Sequence, residues 1–380
     1  MKFVVAPDKY KGSLSGIAFC NAVESGIKKV FPNATILKKP LADGGDGTID
    51  VIKNYLNAEE EEVLVKDPLF KLIKAKYLFS KHKKTAFIEM SEASGYRLLS
   101  NSDLNCRLTT SLGTGELIAD ALDKGAEQII LGIGGSATND GGMGIAVALG
   151  YEFLDENDSI LMPIGENLIK VKTVSKAKAD KRLEKVKLKV ACDVNNPFYG
   201  PKGAAYIYAP QKGASEEDVA FLDKGLKHFA RVLSDEFGVD VQQIPGSGAA
   251  GGAGGGSIVF LNATLNSGIE LVKEIADFNT AIEQANWIIT GEGKLDSQTF
   301  SGKTIYGVVA SAKKKGIPVA AFCGAIELTA EEQEDMGITY ASSVLKTVGS
   351  FDEAVKYSYD NLEYAAFNFA RILKRDITLV

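Results

Sequence analysis

Gly132-Ile-Gly-Gly-Ser-Ala-Thr-Asn-Asp-Gly-Gly-Met-Gly144 lies between two apolar segments, Gln128-Ile-Ile-Leu131 and Ile145–Leu149. Strand, glycine-rich turn and helix, in that order, place bare backbone N–H groups and a helix N-terminus around an anion. Glycine permits positive φ and a close approach of the main chain to a ligand. Ser136, Thr138, Asn139 and Asp140 add side chains able to bind a hydroxyl, a phosphate or a metal. A tight turn with a helix cap would use the same residue types. What favours a ligand site at Gly134, Gly135, Ser136, Asn139 and Asp140 is that the chain repeats the recipe elsewhere.

The repeats run outward from this stretch. A strand at Lys2–Ala6 leads into a polar loop carrying Asp8, Lys9, Lys11 and Ser13, then an amphipathic helix to Val30 capped by Ser13 or Ser15. Ala34–Lys38 reads as a strand ending in Leu41-Ala-Asp-Gly-Gly-Asp-Gly-Thr48, with a helix at Ile49–Leu56. Leu188–Cys192 ends at Asp193-Val-Asn-Asn, and Trp287–Thr290 ends at Gly291-Glu-Gly-Lys-Leu-Asp296 before a helix at Ile305–Lys315. Ile317–Phe322 is a further strand, and the C-terminus is helical from about Asp352 to Leu373. Such strand–loop–helix units predict a parallel, helix-covered sheet.

The texture differs in the middle. Glu59–Lys66, Leu72–Phe79 and Ala86–Met90 read as strands with no helix between them, hence antiparallel. A helix at Gly115–Lys124 is closed by Gly125, Tyr151–Ile164 resembles a hairpin, and Gly203–Tyr208 reads as a short strand. Ser215 to Asp218 opens a helix through a capping box. Gly246–Gly256 suits a linker by its glycines, but alanine stands where a flexible linker has polar residues. The expected organisation is an α/β protein in which residues 1–57 and 257–380 form one domain and 58–256 a mixed α/β insertion.

Composition narrows the chemistry. At 380 residues the chain suits roughly two domains. A net charge of −6 argues against a nucleic-acid or anionic-membrane surface. No apolar run approaches the ~18–20 residues of a membrane span, and the first residues read as a strand rather than a signal peptide. Cys20, Cys106, Cys192 and Cys323 are widely spaced, as expected of reduced thiols in a cytoplasmic protein. Only His82 and His228 are present, so a Ser-His-Asp triad or a histidine-rich zinc site is not expected.

Two motif look-alikes fall short. Ser297–Thr304 reads S-x-x-x-x-G-K-T, lacking the first glycine of a P-loop, although Lys303 and Thr304 at a helix start suit phosphate. Gly132-x-Gly134-x-x-Ala137 matches a loose dinucleotide fingerprint, which makes a nicotinamide dehydrogenase the alternative reading; Thr138–Asp140 and further glycines follow where its helix should already run. The stronger signal is the set of loops at strand ends. Carboxylates for a hard cation, lysines for phosphate charge and backbone donors are the parts that phosphoryl transfer needs, and Mg²⁺ takes only one or two carboxylates.

Ala6-Pro-Asp-Lys-Tyr-Lys-Gly-Ser-Leu-Ser15, Ala42-Asp-Gly-Gly-Asp-Gly-Thr48, Gly132–Gly144, Cys192-Asp-Val-Asn-Asn-Pro197, Gly246–Gly252 and Gly291–Lys303 together resemble the signature stretches of the bacterial glycerate kinase type-1 family. The resemblance spans nearly the whole chain. It implies ATP- and Mg²⁺-dependent phosphorylation of D-glycerate, with 2-phosphoglycerate favoured over 3-phosphoglycerate as product. It also implies one flavodoxin-like parallel-sheet domain and one mixed-sheet domain resembling restriction endonucleases, with the active site in the cleft between them. Carried onto this chain, Asp8, Lys11 and Asp193 are the catalytic candidates: Lys11 neutralises transferring charge and Asp193 or Asp8 accepts the hydroxyl proton. Asp193 and Asp296 are the metal candidates. Ser13, Asp43, Gly44, Gly45, Asp46, Gly248, Gly251, Gly252, Glu292, Lys294, Asp296 and Lys303 join the Gly132–Gly144 residues as substrate or phosphate contacts. The family pattern departs at Lys9 and Tyr10, where Ser and Phe are usual, and at Asp46, where Glu is usual. The expected partner is the small-molecule substrate, with neither nucleic acid nor membrane, and the sequence leaves homo-oligomerisation open.

Overall fold

The computed structural model describes residues 1–10, 12–43, 48–300, 304–347 and 349–377. Two compact units emerge, Met1–Tyr55 with Ser267–Val380, and Leu56–Asn266. The strand Thr264–Asn266 pairs with Lys187–Ala191, so the second unit runs to Asn266 rather than to residue 256.

In the first unit every strand is followed by a helix or loop that returns the chain to the same edge, and the sheet is accordingly parallel throughout. Its order is Tyr340–Ser343, Val319–Cys323, Trp287–Thr290, Lys2–Val5, Thr35–Lys38. Numbered in chain order within the sheet this is 2-1-3-4-5, a doubly wound arrangement that reverses between Lys2–Val5 and Trp287–Thr290. The near-continuous apolar character of the three central strands, Lys2–Val5, Trp287–Thr290 and Val319–Cys323, fits burial on both faces. Phe3, Phe19, Ile289, Phe322 and Phe369 form much of the core. Ser15, rather than Ser13, caps the helix Gly16–Lys28, its hydroxyl accepting from the Ala18 N–H. That helix packs against Ser358–Ile377 so closely that a Cβ on Gly26 would run into the Glu363 carbonyl and the Ala366 side chain.

The second unit holds a six-stranded mixed sheet in the order Thr264–Asn266, Lys187–Ala191, Gln128–Gly132, Thr85–Glu89, Leu72–Ser80, Glu59–Lys66. Directly connected strands, from Glu59 to Glu89, pair antiparallel. Those joined by longer crossovers, the first through the helix Leu112–Asp123, pair parallel. The capping box at Ser215 opens the helix Glu216–Phe237. Phe153, Phe229 and Phe260 pack tilted or edge to face beneath it.

Two local expectations fail. Gly203–Tyr208 is not a strand: Ala204–Tyr208 is a short helix, because Ala204 and Ala205 are buried and small enough for a tight turn against the core. Tyr151–Ile164 is not a simple hairpin. Glu152–Leu154 pairs with the distant Thr173–Ser175 and makes one bridge to Ile160. Gly246–Gly256, whose alanines told against a linker, is mostly buried and feeds the helix Ala253–Leu261.

The Gly26 contact gives a stability test. Gly26→Ala should destabilise the first unit by about 1–3 kcal/mol, the usual cost of forcing extra volume into packed helices, read as a lower urea midpoint. An unchanged midpoint would contradict backbone-to-backbone packing of the two helices.

Candidate functional site

At the carboxyl ends of a doubly wound sheet, ligands bind where the strand order reverses. In the first unit that point is occupied by Asp8, which follows Lys2–Val5, and by Gly291 and Glu292, which follow Trp287–Thr290. The Asp8 N–H donates to the Gly291 carbonyl at 2.9 Å, fixing the two loops together. One carboxylate oxygen of Asp8 accepts from Thr304 Oγ1 at 2.7 Å and the other from the Lys9 N–H at 2.7 Å. Thr304 opens the helix Thr304–Lys315, so the carboxylate lies at the positive end of that helix. Burial pushes the Asp8 carboxyl above its usual range, the Thr304 hydroxyl pulls it back, and the charge of Asp43 pushes it up again. A cavity of about 290 Å³ opens beside Asp8, with Lys9, Ser15, Leu41, Asn54 and Tyr55 among its walls.

Around this point, Glu292 is nearly enclosed and accepts from Thr299 Oγ1 at 2.7 Å. Thr299 in turn accepts from the Asp296 N–H at 3.3 Å. Lys294 lies in ion pairs with Glu327 at 2.8 Å and Asp296 at 3.6 Å. The Ser13 hydroxyl is buried without a partner among the described residues. Lys11, Gly44, Gly45, Asp46 and Lys303 lie outside the described residues.

In the second unit, the Gly132–Gly144 stretch follows the strand Gln128–Gly132, and its helix begins only at Met143. Gly141 and Gly142 have φ of 63° and 77°, values that make glycine necessary there. A dinucleotide fingerprint requires the helix to start at its glycines; here residues 138–142 intervene. Asp140, expected as a ligand contact, is instead fully enclosed. Its carboxylate accepts from Ser111 Oγ at 2.7 Å, Ser111 N at 2.8 Å, Gly142 N at 3.1 Å and Gly144 N at 3.1 Å. Burial pushes this carboxyl up and those four donors pull the other way. Asn139 is also fully enclosed, and neither its amide oxygen nor its nitrogen finds a partner among the described residues.

Gly134 and Gly135 are exposed, and a Cβ on Gly134 would meet only open space, as a surface for a ligand requires. Gly248, Gly251 and Gly252, expected to approach phosphate, are buried. A Cβ on Gly248 would collide with the Pro197 carbonyl, one on Gly251 with the Thr138 carbonyl, and one on Gly252 would lie 2.9 Å from the Gly141 Cα. Their missing side chains serve close packing of backbone on backbone. Asp193 is exposed just beyond the end of Lys187–Ala191.

Two participants escaped the sequence reading. Ser111, in the Thr109–Thr114 helix signal, is the principal partner of Asp140. Lys212 is buried, donating to Ser136 Oγ at 2.9 Å and to the Thr138 carbonyl at 2.7 Å. Burial pulls its ammonium down to about 8. In Pro210-Gln-Lys-Gly213 it looks like an ordinary turn cation, and nothing local marks it.

The comparisons with known proteins point to a phosphotransferase. The model of the glycerate kinase family matches residues 3–374. A glycerate kinase of Halalkalibacterium halodurans is 45% identical over 97% of both chains. Glycerate 2-kinase of Escherichia coli K12 is 42% identical over 98% of both. A crystal structure provisionally designated glycerate kinase 2, from Salmonella typhimurium LT2, superposes with a TM-score of 0.87 at 40% identity, covering 100% of this chain and 99% of that one. The chain belongs to the glycerate kinase family, enzymes that phosphorylate glycerate. No finding supports the dehydrogenase alternative. Among the described residues no helix is long and apolar enough to cross a membrane, and no group of three or more His, Cys, Asp or Glu is arranged around a metal ion.

The enclosed carboxylate is directly testable. Asp140→Ala strands three backbone N–H groups and should cost about 3–5 kcal/mol, in the range for breaking a buried charged network, whereas Asp140→Asn keeps an acceptor and should cost less. Equal, small losses in urea unfolding of both variants would show that Asp140 anchors nothing.

Proposed function

We propose that the protein transfers the γ-phosphoryl group of ATP to D-glycerate, with 2-phosphoglycerate as the product, and that Asp8 accepts the proton of the attacking hydroxyl. The observation that carries the assignment is the placement of Asp8 at the strand-order reversal, with its carboxyl raised by burial and Asp43 and oriented by Thr304. A base is most effective when its pKa lies nearer the working pH than that of a free carboxylate. The relative named glycerate 2-kinase supports the choice of product. The flavodoxin-like character of the first unit and the restriction-endonuclease-like character of the second belong to the same proposal.

Mg²⁺ keeps several waters and takes one or two carboxylates besides the substrate phosphates. Asp193, exposed beyond its strand, and Asp296, which also pairs with Lys294 at 3.6 Å, are the two candidates to hold it. When bound, the ion would supply charge neutralisation to the phosphates. Gly134 and Gly135 offer an exposed backbone surface to an anionic group, and Ser136 borders it. Lys11 is assigned to the transferring phosphoryl charge from the family motif. Lys294 is half exposed and pairs with Glu327 at 2.8 Å, a partner that a phosphate contact would have to displace. Phosphoryl transfer asks chiefly for positioning and charge stabilisation, which these residues provide.

A coupled ADP-release assay with Mg-ATP and D-glycerate, followed by identification of the phosphoglycerate, tests the reaction. Absence of glycerate-dependent ADP formation would refute it. Asp8→Asn should lower kcat by about 10²-fold or more, the contribution typical of a positioned base. The acid limb of kcat should lie above the ordinary carboxylate range. Removing the Asp43 charge in Asp43→Asn lowers the Asp8 pKa and should move that limb to lower pH; a limb unmoved by Asp43→Asn would place the titrating base elsewhere.

A further inference from the structure

The Gly134–Asp140 stretch is exposed at Gly134 and Gly135 and buried from Ser136 to Asp140, where Lys212 lies against it. Its ammonium is almost fully buried and donates to Ser136 Oγ and to the Thr138 carbonyl, two points that span the turn. A buried lysine is costly unless its charge and donors are matched, and Lys212 ends the short turn Pro210–Lys212 with its side chain buried. The cost is spent beneath the one exposed glycine pair of this unit's ligand loop. Next to it, the Thr138 hydroxyl and both polar atoms of Asn139 are buried without partners among the described residues. The neighbouring main chain is tied elsewhere, the Ala137 N–H donating to the Ser94 carbonyl at 2.8 Å and the Thr109 hydroxyl to the Ala137 carbonyl at 2.9 Å, while Lys212 supplies the bonds that hold the Ser136 hydroxyl and the Thr138 carbonyl.

Resting on the glycerate kinase reading above, we propose that Lys212 is a positioning residue: its charged ammonium holds the Gly134–Thr138 turn in the shape that receives the anionic substrate, acting through Ser136 and the Thr138 carbonyl without touching substrate.

The charge state gives the loop a built-in pH dependence. The groups that can act on the Lys212 charge are Cys106, which would favour the ammonium only as a thiolate, and the Asp140 carboxylate, which favours it against burial. Burial holds the Cys106 thiol up at about 11, so it stays neutral where Lys212 titrates. The sign follows: the ammonium, with its full set of donors, is present below about 8 and is lost as pH rises through that value. The turn should loosen on the alkaline side while the rest of the unit remains folded. Ser136→Ala removes an acceptor that favours the charged form, and this lowers the Lys212 pKa.

The experiment pairs hydrogen–deuterium exchange over residues 133–140, corrected for intrinsic pH effects, with the KM for D-glycerate between about pH 7 and 9.5. Both are measured on wild type, Ser136→Ala and Lys212→Met. For wild type, KM should rise by about tenfold or more across that range, the scale on which small misplacements of binding groups act. Exchange in 133–140 should rise with it at unchanged circular dichroism. In Ser136→Ala the break should move to lower pH. In Lys212→Met, KM and exchange should be high at every pH. A pH-independent wild-type exchange, or the same break in Ser136→Ala, overturns the assignment, and both tests stand if Lys212→Met fails to fold. Exchange needs no turnover: a protein without glycerate-dependent ADP formation but with the predicted exchange would refute the kinase reading and leave the Lys212 clamp intact.

Discussion

The second unit depends on one buried carboxylate. Asp140 takes both the N–H and the hydroxyl of Ser111 and the N–H groups of Gly142 and Gly144. It thereby joins the end of the glycine-rich loop to the starts of two helices, Leu112–Asp123 and Met143–Ala148. Backbone donors at helix starts have no intrahelical partner, and a charged acceptor satisfies them at low cost while screening its own burial. Gly144 cannot carry a side chain here, since a Cβ would lie 2.6 Å from Thr110 Oγ1 and 2.7 Å from the Ser111 carbonyl carbon. The loop is thus built from below, by Asp140 and Lys212, and its upper surface is left as bare glycine.

The first unit reaches a comparable end by topology. A parallel sheet that reverses strand order leaves a gap above the reversal, and Asp8 and Gly291 close its floor with a backbone hydrogen bond. Thr304 then brings a helix N-terminus to the Asp8 carboxylate. Desolvation, a neighbouring carboxylate and a helix end act together on one group, the kind of convergence by which proteins tune an acid or base.

Glycine does two different jobs in this chain, and sequence cannot tell them apart. At Gly134 the absent side chain leaves open space; at Gly248 and Gly251 it admits the carbonyls of Pro197 and Thr138. Both sets follow or precede apolar segments and both lie in signature stretches, so both read as ligand loops. Aspartate is ambiguous in the same way: Asp8 and Asp140 each stand in a polar loop after a strand, yet one borders a cavity and the other is sealed in the core. Lys212 is the converse case, a buried cation that a Pro-Gln-Lys-Gly turn gives no reason to expect.

By itself the chain's sequence determined the alternation of strand, loop and helix, the antiparallel stretch between Glu59 and Glu89, the capping box at Ser215, and the family. These follow from local periodicity, capping chemistry and motif order, which need no partner distant in the chain. Tertiary structure alone decided which loops share a sheet edge, that Gly203–Tyr208 curls into a helix, and which of many similar aspartates, lysines and glycines face solvent, cavity or core. Those outcomes depend on burial and on partners far away in sequence, such as Asp8 with Thr304 and Lys212 with Ser136. A residue's charge and reach are written in its own side chain, but what they act upon is fixed only when the chain has packed.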